Sequence, residues 1–260
     1  MADIVKKIKE DLTLEKVLSL ALKTPGVKVN RATFLRKELI KYCSEETIED
    51  AIRFNPAKAG ISKEIINKIS KTVVDYETTK VTALSVAASL PSSGAAVVAV
   101  GAATADITSY FVFILRIVQE LAYLYGFGQF DLKEDNVDSE TLNYLMVFLG
   151  VMFGVQGATS ALNKLANTLA EHVAKTLAQK ALTKGTIYPL VKQIATKVGI
   201  RMTKQIFADT VASAVPIAGS LLSGGLTYAM FKPGCLKLRS NLMTYNLCDP
   251  DYYRNILMDE

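Results

Sequence analysis

The chain has 260 residues, of which 50% are apolar and 21% charged, so it is long enough to bury a sizeable core and sits near the upper end of soluble proteins, below the apolar content of a polytopic membrane protein. Its net charge of +5 is unevenly spread: residues 1–80 carry 16 basic and 12 acidic side chains, 81–163 carry 2 and 7, 164–205 carry 8 and 1, and 206–260 carry 4 and 5. Three distant cysteines without Cys-x-x-Cys spacing and a single histidine argue against a disulfide framework and a zinc site.

The opening "MADIVKKIKEDLTLEK" alternates charges with single apolar residues and lacks the continuous apolar core of a secretory signal, so a cytoplasmic location is expected. Ile4, Ile8, Leu12, Leu14, Val17, Leu18 and Leu22 recur mostly at helical spacing. Breaks are expected at "KTPGVKVN" and "RFNPAKAG", where Pro, Gly and Asn punctuate the pattern. Residues 1–80 thus read as charged amphipathic helices, ahead of a helical core over 81–248 and a tail over 249–260, the whole expected to form one globular unit.

Three runs then lack any charge: Val81 to Ala105, Thr141 to Asn163 and Thr210 to Phe231. Each has the length of a membrane span, about 20 residues as helix. The first is built from Ala, Ser, Gly and Val, which makes transfer into lipid weakly favourable at best. Pro91 falls in its middle, followed by Ser92, Ser93 and Gly94, so two short helices joined by a turn at Pro91 and Gly94 are expected. Such a small-residue hairpin would pack at the centre of an all-α, compact multi-helix bundle.

Next, "ADITSYFVFILRIVQELAYLYGFG" predicts a long helix ending near Gly126 and Gly128. Arg116 and Glu120 stand one turn apart, and Asp106, Phe113 and Glu120 recur at seven residues on one face. Charges in so apolar a helix need partners. Asp106, Arg116 and Glu120 are therefore either a helix cap with an internal ion pair or a functional polar cluster. In "LMVFLGVMFGVQGATSAL", Gly150, Gly154 and Gly157 are expected within an apolar helix, where they permit close helix packing.

Over 164–205 the pattern changes. Val191, Ile194, Ala195, Val198, Met202 and Ile206 line one helical face, with Lys192, Lys197, Arg201 and Lys204 on the polar remainder. This basic amphipathic helix is either a solvated outer face of the bundle or a docking surface for anionic lipid or another acidic partner. "SAVPIAGSLLSGGLTYAMFKPG" repeats the small-residue chemistry, with Pro216 and the expected packing glycines Gly219, Gly224 and Gly225. The tail "LCDPDYYRNILMDE" reads as a short docked or frayed end.

Catalytic signatures are missing. His172, beside Glu171, has no recognisable nucleophile motif around it, and the chain contains no G-x-S-x-G, Walker loop or H-E-x-x-H. No cofactor is expected. "GFG" at Gly126 to Gly128 lacks the third glycine and the strand context of a dinucleotide fingerprint. The basic stretch has no interleaved aromatics of the kind that stack on bases, which argues against nucleic acid.

Taken together, "LPSSGAAVVAVGAATADITSYFVFILRIVQELAYLYGF", "LMVFLGVMFGVQGA", "LTKGTIYPLVKQIATKVGIRMTK" and "VPIAGSLLSGGLTYAMFKPGCLKL" resemble the EcsC family of bacterial proteins, over roughly Thr24 to Leu242. The shared elements are a Leu-Pro turn before a small-residue helix, Asp106 opening the next helix, the "QELAYLYG" end, and a Pro-x-x-Gly segment at Pro216 to Gly219. Family members often carry Leu-Pro-Gly-Gly where this chain has Leu-Pro-Ser-Ser-Gly from Leu90 to Gly94. The resemblance implies an all-α fold and brings no established biochemical activity with it.

The expected function is a non-enzymatic helical protein that docks on the anionic inner face of the plasma membrane, or on a protein there, with conditional entry of the hairpin as a further step. The alternative is a soluble interaction module or a carrier of a lipid-type ligand.

Overall fold

The computed structural model describes residues 14–89, 99–130, 132, 139–175 and 224–258. Every regular element among them is helical: α1 (Leu14–Lys23), α2 (Arg31–Leu39), α3 (Glu45–Arg53), α4 (Lys63–Ser89), α5 (Ala99–Leu124), α6 (Ser139–Phe153), α7 (Ala158–Lys175), α8 (Gly224–Leu242), a 3-10 turn (Asn246–Cys248) and α9 (Pro250–Met258). The expected all-α class holds.

Local chemistry sets the ends of these helices. Asn30 accepts the Thr33 amide at 2.9 Å to start α2, and Ser44 accepts the Thr47 amide at 3.3 Å to start α3, whose first turn carries Glu45 and Glu46 at its positive end. The α5 C-terminus closes as a Schellman motif. The Phe127 amide reaches the Ala122 carbonyl, the Gly126 amide reaches that of Tyr123, and Gly126 takes φ +97°.

Helix α4 is the axis of the fold. Ile66, Ile69, Ser70, Val73, Val74, Glu77, Thr78 and Val81 are all buried and follow helical spacing along one stripe. Two neighbours run antiparallel to it. Lys80 lies over the Phe113 ring while Ser70 bonds Tyr125, which sets the direction of α5; Asp75 pairs with Lys232 while Ser70 accepts from Arg239, which sets that of α8. Around this layer, α1 and α2 pack on α5, α3 on α2, α6 on α8 and α5, and α7 on α6 and the 3-10 turn.

Several expectations change. Helices α4 and α5 form the hairpin pair, but with 27 and 26 residues they are long rather than short. The amphipathic stripe extends α4 upstream of the uncharged run, and a large aliphatic face extends α5 beyond it. The side chains of the small-residue stretch itself, 84–107, lie outside the described ones, while Val73, Val74 and Leu121 are buried on the two helices. The boundary drawn at residue 80 falls inside α4, and one hydrophobic core runs from Leu18 to Tyr253. The tail docks: Tyr253 on α9 is buried and meets Asn55 at 3.0 Å.

Glycines 154 and 157 do not sit inside a helix. They take φ +74° and +85° in the turn between α6 and α7, where the Val155 amide reaches the Gly150 carbonyl, so the second uncharged run is two helices and not one. Gly150 lies buried within α6, and Gly224 and Gly225 open α8. Pro91, Gly94, Gly219, Lys192, Lys197, Arg201 and Lys204 lie outside the described residues.

The α1–α2 connection, Thr24 to Asn30, is held by side-chain amides. Gln119 accepts the Val29 amide and donates to the Val27 carbonyl, while Gln129 accepts the Arg31 amide and donates to the Val29 carbonyl. Arg31 itself is buried. Its guanidinium donates to the carbonyls of Ala51, Ile52 and Phe54 at the end of α3 and to that of Phe127 after α5. Burial lowers its pKa to about 10, which leaves it charged at neutral pH.

Arg31→Met, which removes four donors from buried or half-buried carbonyls, is expected to destabilise the chain by about 3–5 kcal/mol in urea unfolding. A Cβ on Gly126 would sit 2.8 Å from the Leu247 carbonyl oxygen, whereas one on Gly157 would meet open space. Gly157→Ala should therefore cost only about 1–2 kcal/mol of left-handed strain, and Gly126→Ala about 1–3 kcal/mol more. Equal costs would show that the Leu247 segment yields freely.

Candidate functional site

The expected Arg116 and Glu120 pair forms at the α4–α5 seam: an Arg116 nitrogen stands 3.2 Å from Glu120 Oε1, with the carboxylate almost fully buried. The second Arg116 amino group donates to the Gly26 carbonyl, which ties the pair to the α1–α2 connection. Asp106 lies on α5, and its side chain falls outside the described ones.

Two residues not singled out in the sequence complete the cluster. Glu77 and Lys80 on α4 pair at 2.9 Å, and the Glu77 side chain is only 2% exposed. Its Oε1 accepts from Lys80 while its Oε2 is buried with no hydrogen-bond partner. The signal was present: a stripe running Ile66, Ile69, Val73, Val74 to Val81 places a carboxylate at Glu77 on the core side.

Two carboxyls now share one poorly solvated seam. Burial, and then the neighbouring Glu77, push the Glu120 carboxyl up to about 8 against the opposing pull of Arg116 and Lys80. Glu38 on α2 adds to the upward shift, and Lys37 beside it feels Glu120 in turn. Cys235 on α8 feels both carboxyls, and its burial drives the thiol pKa far upward, so it is a packed thiol and not a thiolate nucleophile. Chemically the cluster can hold or release a proton near neutral pH.

Among the described residues, no group of three or more His, Cys, Asp or Glu side chains is placed to hold a metal ion. His172 sits half-buried on α7. Among the described residues no helix is long and apolar enough to cross a membrane. No protein-family model, curated protein or solved structure matches the chain.

Between about pH 4.5 and 8 the folded chain keeps a Glu120 proton that the unfolded chain releases. The raised pKa belongs to the folded state, so stability is expected to fall as pH rises through this window and to level off above it. Glu120→Gln should flatten that slope, as read from urea midpoints at both ends of the window. A slope unchanged in the variant would assign the dependence to other groups.

Proposed function

We propose that this chain is a non-enzymatic helical protein that docks reversibly on an anionic lipid surface through its basic 164–205 stretch. The observation that carries the reading is a local charge excess. Several basic side chains of the helical body meet acids: Arg36 pairs with Glu45 and Glu49, Lys63 with Asp249 at 2.7 Å, and Lys232 with Asp75 at 2.8 Å. Residues 164–205 hold eight basic side chains and one acid, Glu171, so they cannot neutralise themselves.

Each Lys or Arg near an anionic surface adds about 1 kcal/mol of attraction, and several suffice for reversible binding. The cluster of Glu77, Lys80, Arg116 and Glu120 favours a surface mode, because charged groups carried into hydrocarbon cost several kcal/mol each. The resemblance to the EcsC family agrees with an all-α body and leaves the lipid-docking assignment to the charge pattern alone.

Flotation with vesicles tests the proposal. Binding is expected to anionic vesicles at low salt, to weaken at high salt, and to fall at least ~100-fold on combining Lys192→Glu, Lys197→Glu, Arg201→Glu and Lys204→Glu. Equal binding to neutral and anionic vesicles, or none to either, would overturn it.

A further inference from the structure

A second surface carries lipid-facing chemistry within the described body. Helix α4 presents Lys68, Thr72, Tyr76 and Lys80 along one ridge at four-residue spacing, with Lys71 beside it. The end of α2 and the turn after it, Lys37 to Tyr42, lie alongside. Lys37 Nζ stands 5.9 Å from the centre of the Tyr76 ring, and Lys68 Nζ stands 5.2 Å from that of Tyr42.

The apolar members of this face are turned outward. Ile40 is 60% exposed, Tyr76 58% and Tyr42 38%, three of the five large apolar side chains in the described body with that much exposure. Lys80 Nζ stands 5.0 Å from the centre of the Tyr76 ring. Lys41, Lys68 and Lys71 therefore stand around two tyrosines and an isoleucine, together with Lys37 and Lys80, which are each already paired with an acid. The nearby acids are engaged: Glu38 pairs with Lys37, Asp75 with Lys232, and Glu77 is buried with Lys80.

We infer that this α2–α4 face is a second docking surface for anionic lipid headgroups, with Tyr42 and Tyr76 seated at the headgroup level and the lysines on the phosphates. Two arguments favour lipid over an acidic protein. Lysine is depleted from the cores of protein interfaces, whereas tyrosine and lysine together mark the membrane–water boundary. Ordering by cation–π contact also leaves the lysine ammonium groups beside the rings that would enter the headgroup layer. The inference rests on reading the chain as a lipid-docking protein and gives that docking a place in the folded body.

The chain has no tryptophan, so a single one reports its own surroundings. Tyr76→Trp in the full chain is expected to shift its emission to the blue, and to be quenched by brominated lipid, on vesicles containing phosphatidylserine and not on phosphatidylcholine alone. Leu236→Trp, at an exposed position on α8, serves as the control and should not shift. Lys68→Glu with Lys71→Glu should weaken flotation about tenfold or more. If the chain floats while the Tyr76→Trp emission and the charge-reversed variant behave as unbound and wild type respectively, this face is overturned and docking through 164–205 stands. Equal shifts at both reporter positions also overturn it. Absence of flotation in every chain overturns both readings, and capture on polyglutamate without vesicle binding would make the face a protein contact.

Discussion

Removing a guanidinium from water is tolerable only where its donors are met, and the way Arg31 meets its own determines how the N-terminal helices join the bundle. Its acceptors are the carbonyls at the end of α3 and one beyond α5, groups that helix ends leave without partners of their own. The geometry is reciprocal: the charge needs the carbonyls, and the carbonyls need the charge. Gln119 and Gln129 extend the arrangement by hydrogen bonding the backbone from Val27 to Arg31 much as a neighbouring strand would. The short helices α2 and α3, too short to be stable alone, are placed by these bonds as well as by their apolar contacts.

A different rule governs the seam between α4 and α5. There the polar groups are carboxyls with cationic neighbours, and one carboxyl oxygen of Glu77 has no partner at all. Replacing buried ion pairs with well-packed apolar residues is often neutral or stabilising, so the cluster is weak evidence for stability. Its location couples three elements, because Arg116 bonds both Glu120 and the Gly26 carbonyl while Cys235 on α8 senses both carboxyls. The charge excess of 164–205 has no counterpart within that stretch, and the proposed lipid docking rests on it.

Much of this was legible in the residues. The helical class, the ion pair at Arg116 and Glu120 and the glycine stop after Leu124 follow from periodicity and local chemistry. Glu77 lies outside the uncharged runs, which start only at Val81, although its place on the stripe from Ile66 marks it as core-facing. Gly154 was read as a packing residue because small-xxx-small spacing does not distinguish a helix interior from a left-handed cap; only φ does. Arg31 could not have been found by pattern. Its partners are main-chain carbonyls, which carry no side-chain signature and come together only in the fold.

Asn55 has a consequence for the order in which the chain assembles. Its side-chain amide, fully buried, is satisfied by the Leu247 carbonyl and the Tyr253 hydroxyl, 192 and 198 residues away. On a ribosome adding about 5–20 residues per second, that gap corresponds to roughly 10–40 s during which Asn55, and Gly126 against which Leu247 packs, wait in water. Asn55 therefore reaches its final burial only once the C-terminal segment has been made and packs over it.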